Sequence, residues 1–256
     1  MKKCAVFNDL SGFGKCSLAA NLPILSAFQL EAHPFPTAVL SNQTAYESFA
    51  LADVSRKTAD FLAEWEKLGA RFDGILTGYF INAQQVNLIC EFIKKQGALT
   101  VVDPVMGDGG ERYSGFDDEL CKSIKRLCLL ADVITPNSTE LFILTGEEDV
   151  EAAAEQLINS GIGAVVVTGI ESEGKIGCRV FTKDDERCML ADKHGDYYSG
   201  TGDIFTSVLT AELLNGLDVF SAADKAVKFV SDACGVTPAG NPENGVDFER
   251  IITKYI

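Results

Sequence analysis

Residues 199–203, Ser-Gly-Thr-Gly-Asp, have the composition of an anion-binding turn, and an apolar helical run follows them to about residue 215. The two glycines allow a tight turn and a close approach of backbone N–H groups to a ligand. The first turn of a helix adds unpaired N–H groups and a positive dipole end, which suit phosphate. Asp203 is a carboxylate among these donors, which indicates that it handles a proton. The alternative is an ordinary helix start capped by Thr201 or Asp203.

Further carboxylates lie where strands are predicted to end. Asp103 and Asp108 flank a Pro- and Gly-rich loop, and Glu140 lies in the first turn of a helix that Asn137 can cap. Carboxylate oxygens are ligands that Mg²⁺ prefers. Together with the anion-binding turn they predict phosphoryl transfer, with Asp203 accepting the proton of a substrate hydroxyl. Taken one by one, each could equally be a solvated surface carboxylate.

The elements that must position these residues alternate between strand and helix. Strands are predicted at 3–8, 33–39, 73–79, 98–103, 132–135 and 163–168, with a hairpin at 175–182 and 186–192. Helices are predicted at about 15–29, 56–68, 82–96, 115–130, 138–144, 149–160, up to 215, 218–234 and from 247. This order predicts an α/β fold, a mostly parallel central sheet with helices on both faces. No repeat or linker is visible, so residues 1–256 are predicted to form one domain.

Ligands of such sheets bind outside the carboxyl ends of the strands. Polar residues occur at or near these predicted ends: Asp9, Thr44, Tyr79, Asp103, Asn137 and Thr168. We therefore expect one binding site along this edge of the sheet.

The loop after the first strand, residues 9–15, is rich in glycine but matches neither common nucleotide motif. A Walker A loop would need glycine at Asp9 and a hydroxyl at Cys16, and the dinucleotide pattern would need glycine at Ser17. We interpret the loop as a close backbone approach to a ligand, with Asp9 and Ser11 beside it. A simple tight turn is the alternative.

Composition excludes several classes of function. The net charge of -15 argues against nucleic acid, whose phosphates require a basic face. The eight cysteines contain no Cys-x-x-Cys pair and only two histidines are present, so a zinc site is not expected. No secretory signal and no membrane-spanning run are visible, and a reducing cytoplasm is the expected compartment.

Several segments, spread over nearly the whole chain, resemble one family. Residues 200–205, Gly-Thr-Gly-Asp-Ile-Phe, resemble the signature of the ribokinase superfamily. The set resembles vitamin B6 (pyridoxal) kinases more closely, through Ser41-Asn-Gln-Thr-Ala-Tyr46, Leu76-Thr-Gly-Tyr79, Val102-Asp-Pro-Val-Met-Gly-Asp108 and Ala131-Asp-Val-Ile-Thr-Pro-Asn-Ser-Thr-Glu140. The resemblance implies a ribokinase-like fold and ATP-dependent phosphorylation of the 5′-hydroxymethyl group of pyridoxal, pyridoxine or pyridoxamine.

The same resemblance assigns roles to individual residues. It implies that Asp203 is the base and that Gly200, Thr201 and Gly202 form the anion hole. It places Asp103, Asn137, Glu140 and Thr168 at nucleotide, metal or phosphate positions, with Asp103 and Glu140 at Mg²⁺, Thr44 and Tyr79 at the vitamer, and Asp108 and Tyr113 on the loop that covers the site. It further implies a homodimer and leaves room for a monovalent cation such as K⁺.

One departure from the family pattern concerns the substrate. Many members carry a Ser near the end of the first strand, where this chain has Asp9, and Ser11 could take that role instead. An Asp accepts from a protonated ring nitrogen, a phenol or an amine, which would favour pyridoxamine or shift the substrate altogether. The related hydroxymethylpyrimidine (phosphate) kinases are the alternative, although they usually carry Cys where this chain has Asp203. A vitamer-binding protein without activity is the other class of function that we considered.

Overall fold

The computed structural model describes residues 1–195 and 197–256, and its central feature is a nine-stranded sheet. The strands are β1 (Lys3–Ser11), β2 (Glu31–Leu40), β3 (Leu51–Ala52), β4 (Gly74–Thr77), β5 (Leu99–Val102), β6 (Gly107–Asp108), β7 (Glu111–Arg112), β8 (Val133–Ile134), β9 (Ala164–Ser172), β10 (Lys175–Thr182) and β11 (Glu186–Asp192). The sheet order is β11-β10-β9-β8-β5-β4-β1-β2-β3, and β6 and β7 form a separate hairpin.

The helices are α1 (Ser17–Ala27), α2 (Thr58–Lys67), α3 (Ala83–Lys94), α4 (Asp118–Cys128), α5 (Ser138–Thr145), α6 (Val150–Asn159), α7 (Thr201–Asn215) and α8 (Val219–Val236). Single 3₁₀ turns lie at Ser55–Lys57, Pro242–Asn244, Phe248–Arg250 and Ile252–Lys254. None of the helices in these described ranges is long and apolar enough to cross a membrane.

Strands β2, β1, β4, β5, β8 and β9 run parallel, and β3, β10 and β11 extend the sheet in antiparallel pairings. Successive side chains of a strand point to opposite faces. In β1, Cys4 and Val6 join the core beneath α1, α7 and α8, whereas Ala5 and Phe7 join the core beneath α2 to α6. Both faces are therefore covered, and the predicted α/β architecture is confirmed.

The predicted boundaries need correction at the two ends of the chain. β1 continues through Ser11, because it pairs with β2 as far as Leu40 after a bulge between Asn8 and Leu10. Asp9 and Ser11 are therefore strand residues, and the glycine-rich loop is shorter than predicted. Near the carboxyl terminus, the helix predicted from residue 247 is a pair of 3₁₀ turns.

Strand β2 begins two residues earlier than predicted although it contains Pro34 and Pro36. Proline cannot donate to a neighbouring strand, so it is tolerated only where one edge is free. β3 pairs with only Val39 and Leu40, which leaves the rest of that edge without a partner strand among the described residues. The short β3 and the β6–β7 hairpin were not predicted.

Candidate active site

A cleft of about 490 Å³ lies at the carboxyl ends of β5, β8 and β9, against the first turn of α7. It brings together ten of the predicted site residues: Asp103, Asp108, Tyr113, Asn137, Glu140, Thr168, Gly200, Thr201, Gly202 and Asp203. The four predicted substrate residues, Asp9, Ser11, Thr44 and Tyr79, do not line this cleft.

The anion-binding turn forms the start of α7. Gly200 is its N-cap residue with φ +78°, a left-handed conformation that favours glycine. No side chain in the described part of the chain caps the helix, and the Thr201 hydroxyl donates to the carbonyl of Tyr198. The cap interpretation of Thr201 or Asp203 is therefore wrong. The first N–H groups of α7 stay open to the cleft, which suits a phosphate group.

The backbone around Gly200 is held from a second segment. A Cβ on Gly200 would lie 2.2 Å from the carbonyl oxygen of Lys15. The Lys15 amide in turn donates to the carbonyl of Asn244 at 3.0 Å, and its ammonium forms ion pairs with Asp247 and Glu249. The turn is thus fixed in place by the loop before α1 and by the carboxyl-terminal segment.

Asp203 is placed to accept a proton. Desolvation, with a further contribution from the nearby Asp9 carboxylate, outweighs the opposing hydrogen bonds from the Ser17 backbone and the Asn8 amide, and the pKa of the Asp203 carboxyl is raised to about 6. The Asn8 Nδ2 donates to Asp203 Oδ1 at 2.9 Å. A carboxylate with a pKa just below neutral is deprotonated at neutral pH and remains basic enough to take a proton, as a general base requires.

Asp103 and Glu140 form a second acidic group beside the turn. Glu140 is buried, and its oxygens accept from the backbone amides of Met106 and Asn137 at 3.1 and 3.0 Å. Desolvation raises the pKa of Glu140 to about 8. Desolvation and then the charges of Glu140 and Asp203 raise the pKa of Asp103 well above its usual value. Asp103 Oδ2 lies 3.9 Å from the position that a Cβ of Gly202 would occupy, so the carboxylate borders the turn.

The donor chemistry of this group fits a hard divalent cation. Among the described residues, no Lys or Arg forms an ion pair with Asp103 or Glu140, so neither carboxyl group has a cationic partner there. No cluster of three metal-binding side chains occurs in those same ranges. Mg²⁺ would therefore take only one or two ligands from the protein and the rest from water and phosphate, as it commonly does. Since backbone amides occupy Glu140, Asp103 is the better direct ligand.

The capping box on α5 confirms that Asn137 caps this helix, as the sequence predicts. Its side chain accepts from the Glu140 amide at 2.9 Å, and the Glu140 carboxylate accepts from the Asn137 amide. The Asn137 Nδ2 also donates to the carbonyl of Gly107 at the base of the β6–β7 hairpin. Asn137 thus connects the acidic group to the hairpin through one donor and one acceptor position of its side-chain amide.

The β6–β7 hairpin forms a flap over the cleft and carries Asp108, while Tyr113 follows it. The Gly110 amide donates to the Thr139 hydroxyl at 2.8 Å, which ties the tip of the flap to α5. The Tyr113 ring contacts Phe116, and Phe116 contacts Tyr79, with centroids 6.2 and 5.8 Å apart. The flap is therefore connected by aromatic contacts to Tyr79, which lies outside the cleft lining.

Asp9 also lies outside the cleft lining; it is 6% exposed and accepts from the Ser11 hydroxyl at 2.8 Å. Desolvation raises the pKa of Asp9, and its charge raises the pKa values of both Asp203 and Tyr79. Asp9 is therefore close enough to both Asp203 and Tyr79 for its charge to act on them. Thr44 lies on an exposed turn, and its neighbour Gln43 is the buried member of that segment.

Several cleft residues were missed by sequence reasoning. They are Thr135, Gly169, Ile176, Lys193, His194, Phe205, Val227, Val230 and Cys234. The apolar ones on α8 carry only the periodicity of a core helix, so no local signal identifies them. Thr135 ends a strand, where a polar residue is a usable signal, and its buried hydroxyl has no hydrogen-bond partner in the described part of the chain.

Comparison with known proteins supports this description. A model of the phosphomethylpyrimidine kinase family matches residues 19–245. A pyridoxine/pyridoxal/pyridoxamine kinase of Bordetella avium is 29% identical over 234 residues, covering 84% of this chain and 78% of its own.

Two solved structures share the whole fold. Pyridoxal kinase of Lactobacillus plantarum superposes with a TM-score of 0.94 at 29% identity, covering 99% of this chain and 96% of its own. A Bacteroides thetaiotaomicron protein, provisionally assigned as a phosphomethylpyrimidine kinase, was crystallised with pyridoxal. It superposes with a TM-score of 0.92 at 34% sequence identity, covering 99% of this chain and 95% of its own. These findings confirm the ribokinase-like fold and the resemblance to vitamin B6 kinases. The chain belongs to the phosphomethylpyrimidine kinase family, whose members similar to it include pyridoxal kinases.

Proposed function

We propose that this protein transfers the γ-phosphoryl group of ATP to the 5′-hydroxymethyl group of a B6 vitamer. One observation carries the proposal: the proton acceptor Asp203 follows directly on the open N–H groups of Gly200 to Gly202, with Asp103 beside them. A substrate hydroxyl and a phosphoryl group would meet at this point. Positioning and charge neutralisation then supply most of the catalysis, as in other phosphoryl transfers.

The nucleotide would occupy the cleft itself. Val227 and Val230 of α8, with Ile176 of β10, offer apolar contacts for a purine ring. The phosphates would extend past Thr168 towards the turn that begins at Gly200. Asp108 and Tyr113 on and beside the flap would cover them and exclude water.

Asp103 and Glu140 would hold Mg²⁺ against those phosphates, Asp103 directly and Glu140 through water. Bound Mg²⁺ supplies charge neutralisation on the phosphoryl oxygens. The Thr135 hydroxyl has no hydrogen-bond partner among residues 1–195 and 197–256, and together with Thr168 it would add oxygen ligands that accommodate a monovalent cation such as K⁺.

The vitamer would bind between Asp203 and Tyr79, with its ring against the Tyr79 side chain. Asp9 is a buried carboxylate whose side-chain donors, among the described residues, are the hydroxyls of Ser11 and Ser17. It would pair with the protonated ring nitrogen or amine of the vitamer, which favours pyridoxamine. Thr44 would reach the vitamer only if its exposed turn folds inward, so it is the weakest member of the substrate set.

The test is a coupled ATP-consumption assay over pyridoxal, pyridoxine, pyridoxamine and hydroxymethylpyrimidine, with the parent protein and Asp203→Asn. We expect turnover of at least one vitamer, a loss of roughly 10²- to 10⁴-fold in kcat for the variant, and unchanged nucleotide binding by calorimetry. Turnover of the pyrimidine alone would establish the alternative, a hydroxymethylpyrimidine kinase. Binding of a vitamer without any turnover would instead indicate a non-catalytic binding protein.

We also propose a homodimer of single-domain subunits. Leu10, Val39 and Leu51 are large apolar residues left exposed where β1, β2 and β3 meet, and Phe13 and Phe49 lie exposed in the adjoining loops. Such a patch is typical of an association surface. Light scattering should give twice the monomer mass for the parent and the monomer mass for Leu51→Asp. A reducing cytoplasm remains our prediction for its location, from the cysteine pattern.

A further inference from the structure

Beneath Asp203 lies a buried amide, Asn8, which is 3% exposed and belongs to the bulged part of β1. All four hydrogen-bonding positions of its side chain are filled. The Oδ1 accepts from the backbone amides of Asp9 at 3.0 Å and Tyr79 at 2.9 Å. The Nδ2 donates to Asp203 Oδ1 at 2.9 Å and to Asn21 Oδ1 at 3.0 Å.

These contacts determine which way the amide points. Backbone N–H groups can only donate, so the atom that faces Asp9 and Tyr79 must be the oxygen. The nitrogen must then face Asp203. The orientation follows from two fixed backbone donors, and the hydrogen bond to the base is a consequence of the fold.

The amide is held in place on every side. Asn21, which is fully buried, donates through Nδ2 to the Ser207 hydroxyl at 2.9 Å and to the Asp203 carbonyl at 3.3 Å. The Ser207 hydroxyl donates to the same carbonyl at 2.7 Å. On the opposite side, a Cβ on Gly78 would come within 2.6 Å of the Asn8 amide, so glycine at this position makes room for it.

We propose that Asn8 is the positioning residue of Asp203: it holds the carboxylate by one oxygen, so that the other is left to accept the proton of the substrate hydroxyl. The proposal rests on the proposed function. Asn8 also connects the base to the proposed vitamer site, because its side-chain oxygen accepts from the backbone amide of Tyr79. A hydrogen bond to the charged form of a carboxylate favours that form, and burial of the network strengthens the effect.

The other groups that act on Asp203 come from different elements. Asp9 on β1, Asp103 after β5 and Cys16 before α1 all interact electrostatically with it. Two of these three are carboxylates, whose charges oppose deprotonation of Asp203. The Ser17 backbone and the Asn8 amide are the donors that oppose this effect, and Asn8 is the side-chain donor of the two.

The experiment compares the pH profiles of kcat for the parent and Asn8→Leu from about pH 5 to about pH 9. Since Asp203 must be deprotonated to act, the rate rises with pH through its pKa. Loss of the donor raises that pKa, so the rising limb of the profile, where kcat increases with pH, should shift to higher pH by about one unit. On the plateau above this limb, kcat should fall roughly 10- to 100-fold. The KM for ATP should stay near the parent value, because Asn8 does not line the cleft.

Gly78→Ala provides a second variant in case Asn8→Leu does not fold. Its methyl group displaces the amide without removing it, so the limb should move in the same direction by less. Asn215→Leu is the matched control. It removes a single amide hydrogen bond, to Phe28, at the far end of α7, and its profile should coincide with the parent's.

Asp203→Asn in the same assay distinguishes a failure of the proposed function from a failure of the positioning role of Asn8. If that variant turns over at the parent rate, the proposed base is wrong. If it is inactive while Asn8→Leu and Gly78→Ala keep the parent limb, the positioning role of Asn8 is overturned and the proposed function stands. A fall in kcat with an unmoved limb also counts against the proposal, because a purely structural defect has that signature.

Discussion

Alanine at Gly200 adds one methyl group where the structure leaves no space for it. The residue has φ +78°, and its Cβ would lie 2.2 Å from the carbonyl oxygen of Lys15. That oxygen belongs to backbone, and the Lys15 amide is itself bonded to Asn244. Neither partner can move aside by a change of rotamer, so the anion-binding turn must shift.

Two unfavourable contributions to the free energy of folding add in Gly200→Ala. A left-handed conformation costs a non-glycine residue about 1–2 kcal/mol, and overpacking of a filled site costs about 1–3 kcal/mol. The free energy of unfolding should therefore fall by roughly 3 kcal/mol, which for a chain of this length lowers Tm by about 10 °C. Displacement of the turn's N–H donors should lower kcat by roughly 10²- to 10³-fold.

Gly216→Ala is the matched control at the other end of α7. Gly216 has φ +102° and no atom within 4 Å of its Cβ position, so it bears the conformational cost alone, about 1–2 kcal/mol. Thermal unfolding and the coupled kinase assay are run on both variants. Equal loss of stability in the two, with kcat of Gly200→Ala at the parent level, would refute the reasoning.

Two further predictions concern the buried carboxylates. Asp9→Asn should lower kcat/KM for pyridoxamine and for pyridoxine, and the loss for pyridoxamine should be roughly tenfold larger or more, since the variant removes the partner of a cationic amine. An equal loss on both vitamers in the coupled assay would contradict this role. For Glu140, burial raises the folded pKa from 4.5 to about 8, so the folded protein binds a proton more tightly than the unfolded chain. Its contribution to stability is present below the unfolded pKa and is lost as pH rises through about 8. Urea unfolding should show this decline, and saturating Mg²⁺ with nucleotide, or Glu140→Gln, should flatten it; an unchanged slope in Glu140→Gln would show that another group is responsible.

Much of the fold was predictable because local signals agreed with the tertiary structure. Apolar runs with β-branched residues, each closed by Gly, Pro or a polar cap, gave the order of strands and helices. Asn137 and Glu140 form the capping box that their spacing predicts. The errors occurred where pairing with a distant segment decided the outcome, as in β1, which β2 extends through Asp9 to Ser11.

In the candidate site, too, local features were predictable and contacts between distant segments were not. The sequence by itself determined the chemical types at the strand ends and the glycine turn before Asp203, since these are local properties of a few neighbouring residues. Only the tertiary structure decided that Asp203 receives a hydrogen bond from Asn8, 195 positions away, and that Gly200 fits against Lys15. Nor could the sequence assign a pKa of about 6 to Asp203, because desolvation and the charge of Asp9 arise only when separate strands and helices meet.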